Sequence, residues 1–263
     1  AAGTYTVVVT GDCGTVTSND AVVTMNTTTV IDVQPVGGAI CPGGNILLSV
    51  TASGTNLHYQ WKYGVTNVGL DQNTFAATIA GTYTVEVTGD CGTVISDAAV
   101  VTVNAATTID VQPVGGAICP GGNILLSVTA SGTGTLHYQW KQDGNNVGAD
   151  QNTYSATAGG SYTVEVTGDC GTVTSEAAVV IMNTTTAINV QPAGGAICPG
   201  GNILLSVTAA GTNLHYQWKQ DGNNVGTDQN TYSATAAGSY TVEVTGDCGT
   251  VISDAAVVTV NAA

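Results

Sequence analysis

Apolar and polar residues alternate along this chain in short runs. In Thr82-Tyr-Thr-Val-Glu-Val-Thr, the side chains of Tyr83, Val85 and Val87 fall on one face and the threonines and Glu86 on the other, the period-two pattern of a half-buried strand. Leu57-His-Tyr-Gln-Trp-Lys alternates in the same way, turning Leu57, Tyr59 and Trp61 inward and His58, Gln60 and Lys62 outward. Asn45-Ile-Leu-Leu-Ser-Val-Thr is a third β-rich run, and turn formers separate the three: Pro42-Gly-Gly, Gly89-Asp-Cys-Gly and Gln142-Asp-Gly-Asn-Asn. Asp143-Gly144 is a tight-hairpin pair. No stretch offers a helical period free of glycine and β-branched clusters. The pattern predicts an all-β chain with about seven short strands in roughly 78 residues, which fits a small two-sheet sandwich.

The pattern repeats. GGAICPGGNILLSVTASGTNLHYQWK, from Gly37, returns nearly unchanged at Gly115 and Gly194. Cys41, Cys119 and Cys198 recur at intervals of 78 and 79 residues, and Trp61, Trp140 and Trp218 at 79 and 78. The extra residue lies in Ser131–Trp140, which marks a loop. GTYTVVVTGDCGTVTSNDAVVTM, from Gly3, matches only the last third of a unit, beginning at Gly81. The predicted organisation is a partial unit, 1–26, followed by full units at 27–104, 105–183 and 184–263. A chain that starts in mid-unit reads as an excerpt of a longer array.

Composition narrows the function classes. Apolar residues make up 43% of the 263 residues, enough for packed cores, while charged residues make up only 8%. Eighteen acids against three lysines and no arginine give a net charge of −15. That argues against nucleic acid, which needs basic surface, and against anionic membranes. No apolar run approaches the length needed to insert into a bilayer, and the start shows no signal-peptide pattern.

Trp61 on the third strand, Gly81-Thr-Tyr83-Thr-Val85 on the sixth and the hairpin CGTVISDAAVVTV after it carry a resemblance. With Trp140, Tyr162 and Val164, then Trp218, Tyr240 and Val242, as their copies, the chain resembles the tandem bacterial immunoglobulin-like repeats of large surface adhesins and filament proteins, of the kind found in Bacteroidota. The resemblance implies a tandem array of seven-strand Greek-key sandwiches, with Trp61, Trp140, Trp218, Tyr83, Tyr162 and Tyr240 in the cores. The chain departs from the family at two points. Val50 and Val85 stand where an inter-sheet disulfide is often found, and the acidic residue often seen just before Gly-x-Tyr is missing.

Candidate chemistry is sparse. His58, His137 and His215 occur one per unit on outward strand positions with no accompanying ligand cluster, so they read as solvent-facing. Acids such as Asp32, Asp71 and Asp90 are isolated in sequence, which reads as solvated charge and not as a calcium site. Ser49 and Ser96 lie in strand-like runs without a G-x-S-x-G turn. The segment 41-CPGG-44 lacks the Lys-Ser/Thr ending of a phosphate loop. No catalytic residue, cofactor or metal is assigned, and the chain reads as a non-enzyme. Asn26-Thr-Thr and Asn183-Thr-Thr are glycosylation sequons at unit boundaries, but Asn104-Ala-Ala is not, so the motif decides nothing.

The cysteines form two regular sets, Cys-Pro-Gly-Gly (Cys41, Cys119, Cys198) and Gly-Asp-Cys-Gly (Cys13, Cys91, Cys170, Cys248). Regular placement in turn-rich β units points to structural disulfides in an oxidising compartment, and the absence of C-x2-C pairs argues against zinc. In the fold that the resemblance implies, the second and sixth strands run the same way. Cys41, nine residues before core position Val50, and Cys91, six beyond core position Val85, then lie at opposite ends of one unit. At about 3.3 Å per residue that is on the order of 30–40 Å, against the roughly 7 Å limit for Cα atoms in a disulfide. Head-to-tail stacking would instead pair Cys41 with Cys170 and Cys119 with Cys248, leaving Cys13, Cys91 and Cys198 to partners in further units. Pairs between neighbouring chains and pairs within a unit stay open. The boundaries are too short to act as free hinges, so three units would form a rod of roughly 100 Å or more. The reading is a structural region of a secreted filament or surface-adhesin stalk, at the cell surface or outside the cell. Its partners are further copies of the repeat, in the same or neighbouring chains, and a host or surface ligand at an unseen tip. The alternatives are a multivalent ligand- or carbohydrate-binding array and a spacer in a larger secreted enzyme. Tyr63, an exposed aromatic suited to binding, is replaced by Gln142 and Gln220 in the other units, which favours structure over binding.

Overall fold

The computed structural model describes residues 1–262 and contains only strands, turns and loops among them. Residues 1–23 carry β1 (Gly3–Tyr5), β2 (Val8–Gly11), β3 (Gly14–Thr17) and β4 (Ala21–Val23), with β1 paired to β4 and β2 to β3. Ten strands follow: β5 (Val30–Val33), β6 (Gly38–Ile40), β7 (Ile46–Ser49), β8 (Thr51–Ser53), β9 (His58–Tyr63), β10 (Thr66–Val68), β11 (Thr74–Ala77), β12 (Gly81–Gly89), β13 (Gly92–Ile95) and β14 (Ala99–Val103). The same ten recur from Thr108–Val111 to Ala178–Met182 and from Ala187–Val190 to Ala256–Val260. The chain divides into two compact units, one made of 1–106 with the tips 132–134 and 168–171, the other of 107–131, 135–167 and 172–263.

One sheet formed by these ten strands runs β10-β9-β12-β14-β6, with β13 extending the β12 pairing. All its neighbours are antiparallel except β14 and β6, which run parallel. Facing it are the pairs β7-β11 and β5-β8. The seven-strand pattern thus resolves into ten segments, and each break has a local cause. Pro35, which has no N–H to donate to a ladder, lies where the chain leaves β5 in one layer for β6 in the other. Gly37 makes that crossing possible, since a Cβ there would lie 1.9 Å from the Val100 carbonyl oxygen. Ser96 separates β13 from β14. Its N–H donates to the Val85 carbonyl, its hydroxyl accepts from the Val85 N–H at 3.0 Å and donates to the Asp97 carbonyl.

The alternation along β12 does what its pattern predicts: Tyr83, Val85 and Val87 are buried together with Leu48, Val50, Trp61, Ala77, Ala99 and Val101. Val50 and Val85 share this apolar cluster. Trp61 is fully buried and opposite Val85 in the β9-β12 register, and its indole N–H donates to the Gln72 carbonyl at 3.0 Å. Equivalent clusters form around Trp140 and Trp218. Truncating such a Trp to Ala costs about 3–5 kcal/mol through lost burial and the cavity left behind.

The missing acidic residue before Gly-x-Tyr does not abolish the tyrosine's anchoring bond. Tyr83 Oη donates to the Ile79 carbonyl, and Tyr162 and Tyr240 donate to Ala158 and Ala236 in the same i to i−4 geometry. In the N-terminal segment the matching residues have no such enclosure: Tyr5, Val7 and Val9 are exposed.

Candidate functional site

The two cysteine types sit on two kinds of turn. Cys41 follows β6 directly and opens the turn Cys41-Pro-Gly-Gly, closed by the Gly44 N–H on the Cys41 carbonyl at 2.9 Å. Proline at the second position and Gly43 at φ 76° are what this turn requires. The second type sits at a hairpin tip. Gly89 faces Gly92 across the two-residue loop Asp90-Cys91, and the glycine after the cysteine, Gly92, Gly171 or Gly249, holds a positive φ that L side chains avoid.

The parallel pairing of β6 and β14 brings the start and the end of a repeat to one place. The Asn104 N–H donates to the Ile40 carbonyl at 2.8 Å, so the chain leaves the repeat beside Cys41. The hairpin tip of the next repeat meets it there. The sulfurs of Cys41 and Cys170 are bonded, with Cα atoms 5.3 Å apart. In the second unit the same arrangement recurs. Asn183 donates to the Ile118 carbonyl, and Cys119 is bonded to Cys248 with Cα atoms 5.5 Å apart. Both bonds span 129 positions. Cys13, Cys91 and Cys198 are free and exposed.

Polar contacts accompany the sulfur bridges. Asp247, next to Cys248, accepts hydrogen bonds from the amides of both Asn183 and Asn213 at 3.0 and 2.9 Å. The Thr184 N–H donates to the Thr212 hydroxyl at 2.9 Å. Asp90 accepts from Asn26 and Asn56 in the same way, and the Thr27 N–H donates to the Thr55 hydroxyl. At the 104–105 boundary the inserted residue changes the loop. Gly134 lies so close to Asp169 that a Cβ would sit 2.3 Å from its Oδ1. There the backbone contact remains, Ala105 N–H to the Thr133 hydroxyl at 2.7 Å. Sequence reasoning left Asp90 as an isolated acid. The signal that could have found the contact is recurrence: an Asn opens the boundary and an Asp precedes the hairpin cysteine 64 positions later, at 26/90 and 183/247. Both sequon asparagines are thus engaged through their side-chain amides.

The histidines also have partners that the sequence did not reveal. His58 Nδ1 lies 2.6 Å from Asp71 Oδ2, and Asp71 Oδ1 accepts the Tyr59 N–H at 2.6 Å. His137 with Asp150 and His215 with Asp228 repeat the pair. All are exposed, and the histidine bond first and the backbone bond second hold each aspartate below its ordinary value. Lys62, Lys141 and Lys219 are paired with Glu86, Glu165 and Glu243 across neighbouring strands. Among the described residues no three His, Cys, Asp or Glu side chains converge as a metal site.

Solved structures match this architecture. The three-domain I67–I69 fragment from the I-band of titin aligns with 90% of this chain and 99% of its own, at a TM-score of 0.66 and 14% identity. An E-to-A variant of the same fragment covers 89% at the same score and identity. The chain is a tandem array of immunoglobulin-like sandwiches. Extracellular domains 3–5 of Drosophila OTK also align, at a TM-score of 0.46 and 17% identity over 89% of this chain and 97% of theirs. No protein-family model and no curated protein sequence matches the chain. At such identities the likeness shows the fold alone.

Proposed function

We propose that this chain is a structural repeat region of a secreted extracellular filament or surface-adhesin stalk, built of units 1–26, 27–104, 105–183 and 184–263 and stiffened by disulfides between adjacent repeats. The observation that carries the reading is the placement of the bonded sulfurs. Each bond joins the turn where one repeat ends to the hairpin tip of the repeat that follows, so it strengthens a boundary and leaves the cores to hold themselves. Two bonded pairs fit an oxidising compartment. A net charge of −15 keeps such a chain soluble and discourages clumping. Partners follow from the same logic: Cys13, Cys91 and Cys198 are suited to the complementary cysteine type of further repeats, and any ligand is taken up elsewhere than in these units.

The test is made on producing cells. An antibody against this chain should label unpermeabilised cells. Protein recovered under thiol-blocking conditions should keep Cys41, Cys119, Cys170 and Cys248 unreactive until a reductant is added. Labelling only after permeabilisation, with all seven thiols reactive, would contradict the reading.

A further inference from the structure

The order of the bonded cysteines along the chain has a mechanical consequence. The first bond closes residues 41–170 and the second closes 119–248. The two loops interlace, because Cys119 lies inside the first and Cys170 inside the second. Every backbone position from 42 to 247 is therefore enclosed by at least one disulfide loop, and positions 120–169 by both. We propose that the interlaced bonds act as a covalent bypass that carries tension past the folded repeats, so that neither unfolding of a repeat nor a single backbone cut between Cys41 and Cys248 parts the chain or lets it pay out its full length. This deepens the structural reading above, on which its relevance rests, but its test needs only the chain itself.

The load route can be followed residue by residue. Tension applied at the two ends runs 40 residues to Cys41 and crosses to Cys170. It then runs 51 residues back to Cys119, crosses to Cys248 and runs 15 residues to the end. That route is 106 residues long in place of 262. Residues 42–104, with Trp61 and all of its core but Ile40, and 184–247, with Trp218 and all of its core but Ala256 and Val258, lie off it. Unfolding the parts that lie off the route gives slack chain and no added length. The body of the 105–183 repeat, with Trp140, stands in the direct line, together with β5 and β6 before Cys41 and the strands Gly249–Ile252 and Ala256–Val260 after Cys248. The contacts at the chain exits fit this role: Asn104 and Asn183 are hydrogen-bonded to Ile40 and Ile118, each next to a bonded cysteine.

The experiment stretches single molecules of the full chain through handles at its two ends, after the free thiols have been blocked. At about 3.4 Å per residue, the fully extended length should be about 360 Å for the oxidised chain and about 890 Å once reduced, close to a 2.5-fold difference. The C41S/C170S and C119S/C248S variants should each reach about 450 Å, since either remaining bond leaves a route of 133 residues. Because the reading is taken on the unfolded chain, a variant that folds poorly reports as well as one that folds. Equal lengths before and after reduction would overturn the bypass. So would about 720 Å for C41S/C170S, the value for cysteines paired within their own repeats. Failure of this test with surface labelling intact would remove the bypass and leave the extracellular reading standing. The converse result would do the reverse.

Discussion

Thr29, Thr107 and Thr186 occupy one equivalent position in the three repeats. Each is buried, and none of their hydroxyls has a hydrogen-bond partner among the described residues. A buried hydroxyl without a partner costs about 1–3 kcal/mol, and valine has nearly the same shape. Thr29→Val, Thr107→Val and Thr186→Val should therefore each raise stability, by about 1 kcal/mol, in denaturant unfolding followed by tryptophan fluorescence. A loss of that size would show that the hydroxyl is engaged. The histidine–aspartate pairs carry a pH dependence whose sign follows from the direction of the shift. The folded carboxyl of Asp71, Asp150 or Asp228 is the stronger acid. Its contribution is thus complete above the unfolded carboxylate value and is lost as pH falls through the lower folded value. A D71N/D150N/D228N variant should melt below the wild type at pH 7, and the gap should narrow as pH falls through the lowered folded carboxyl value. A gap that persists in acid would contradict this origin.

Among the elements, β9 and β12 and their copies were the most legible in sequence, because one-sided burial is a local property written in the alternation of Tyr83, Val85 and Val87 and of Tyr59 and Trp61. The two cysteine types and their recurrence were equally plain. What stayed hidden depends on segments meeting in space. The Asn183–Asp247 and His58–Asp71 contacts join loops that a local pattern cannot connect. The break at Ser96 was hidden for another reason, since a serine in a strand-like run reads as an outward position. Its hydroxyl instead takes the Val85 N–H that a ladder carbonyl would otherwise accept. Ser175 and Ser253 do the same for Val164 and Val242. Ser96→Ala should leave that buried N–H without a partner and cost about 1–3 kcal/mol. Ser96→Thr, which keeps the hydroxyl, should cost less. Equal losses for both would assign the position to packing.

At the scale of the whole molecule, cores and boundaries are held by different forces. Each apolar cluster is formed within one repeat, and both bonded pairs lie outside the clusters. Chain-entropy arguments credit a 129-residue loop with roughly 5 kcal/mol, an upper figure where the enclosed parts fold separately. Reduction should therefore lower the unfolding midpoint while leaving all three tryptophans buried under native conditions. Tryptophan emission moving to the solvent-exposed wavelength on reduction alone would contradict that division. Every property that extends beyond a single repeat depends on which sulfurs are joined. Mass-spectrometric peptide mapping of the unreduced protein, with thiols blocked at lysis, reads this directly. The account predicts peptides linking Cys41 to Cys170 and Cys119 to Cys248, and recovery of Cys41 linked to Cys91 would contradict it.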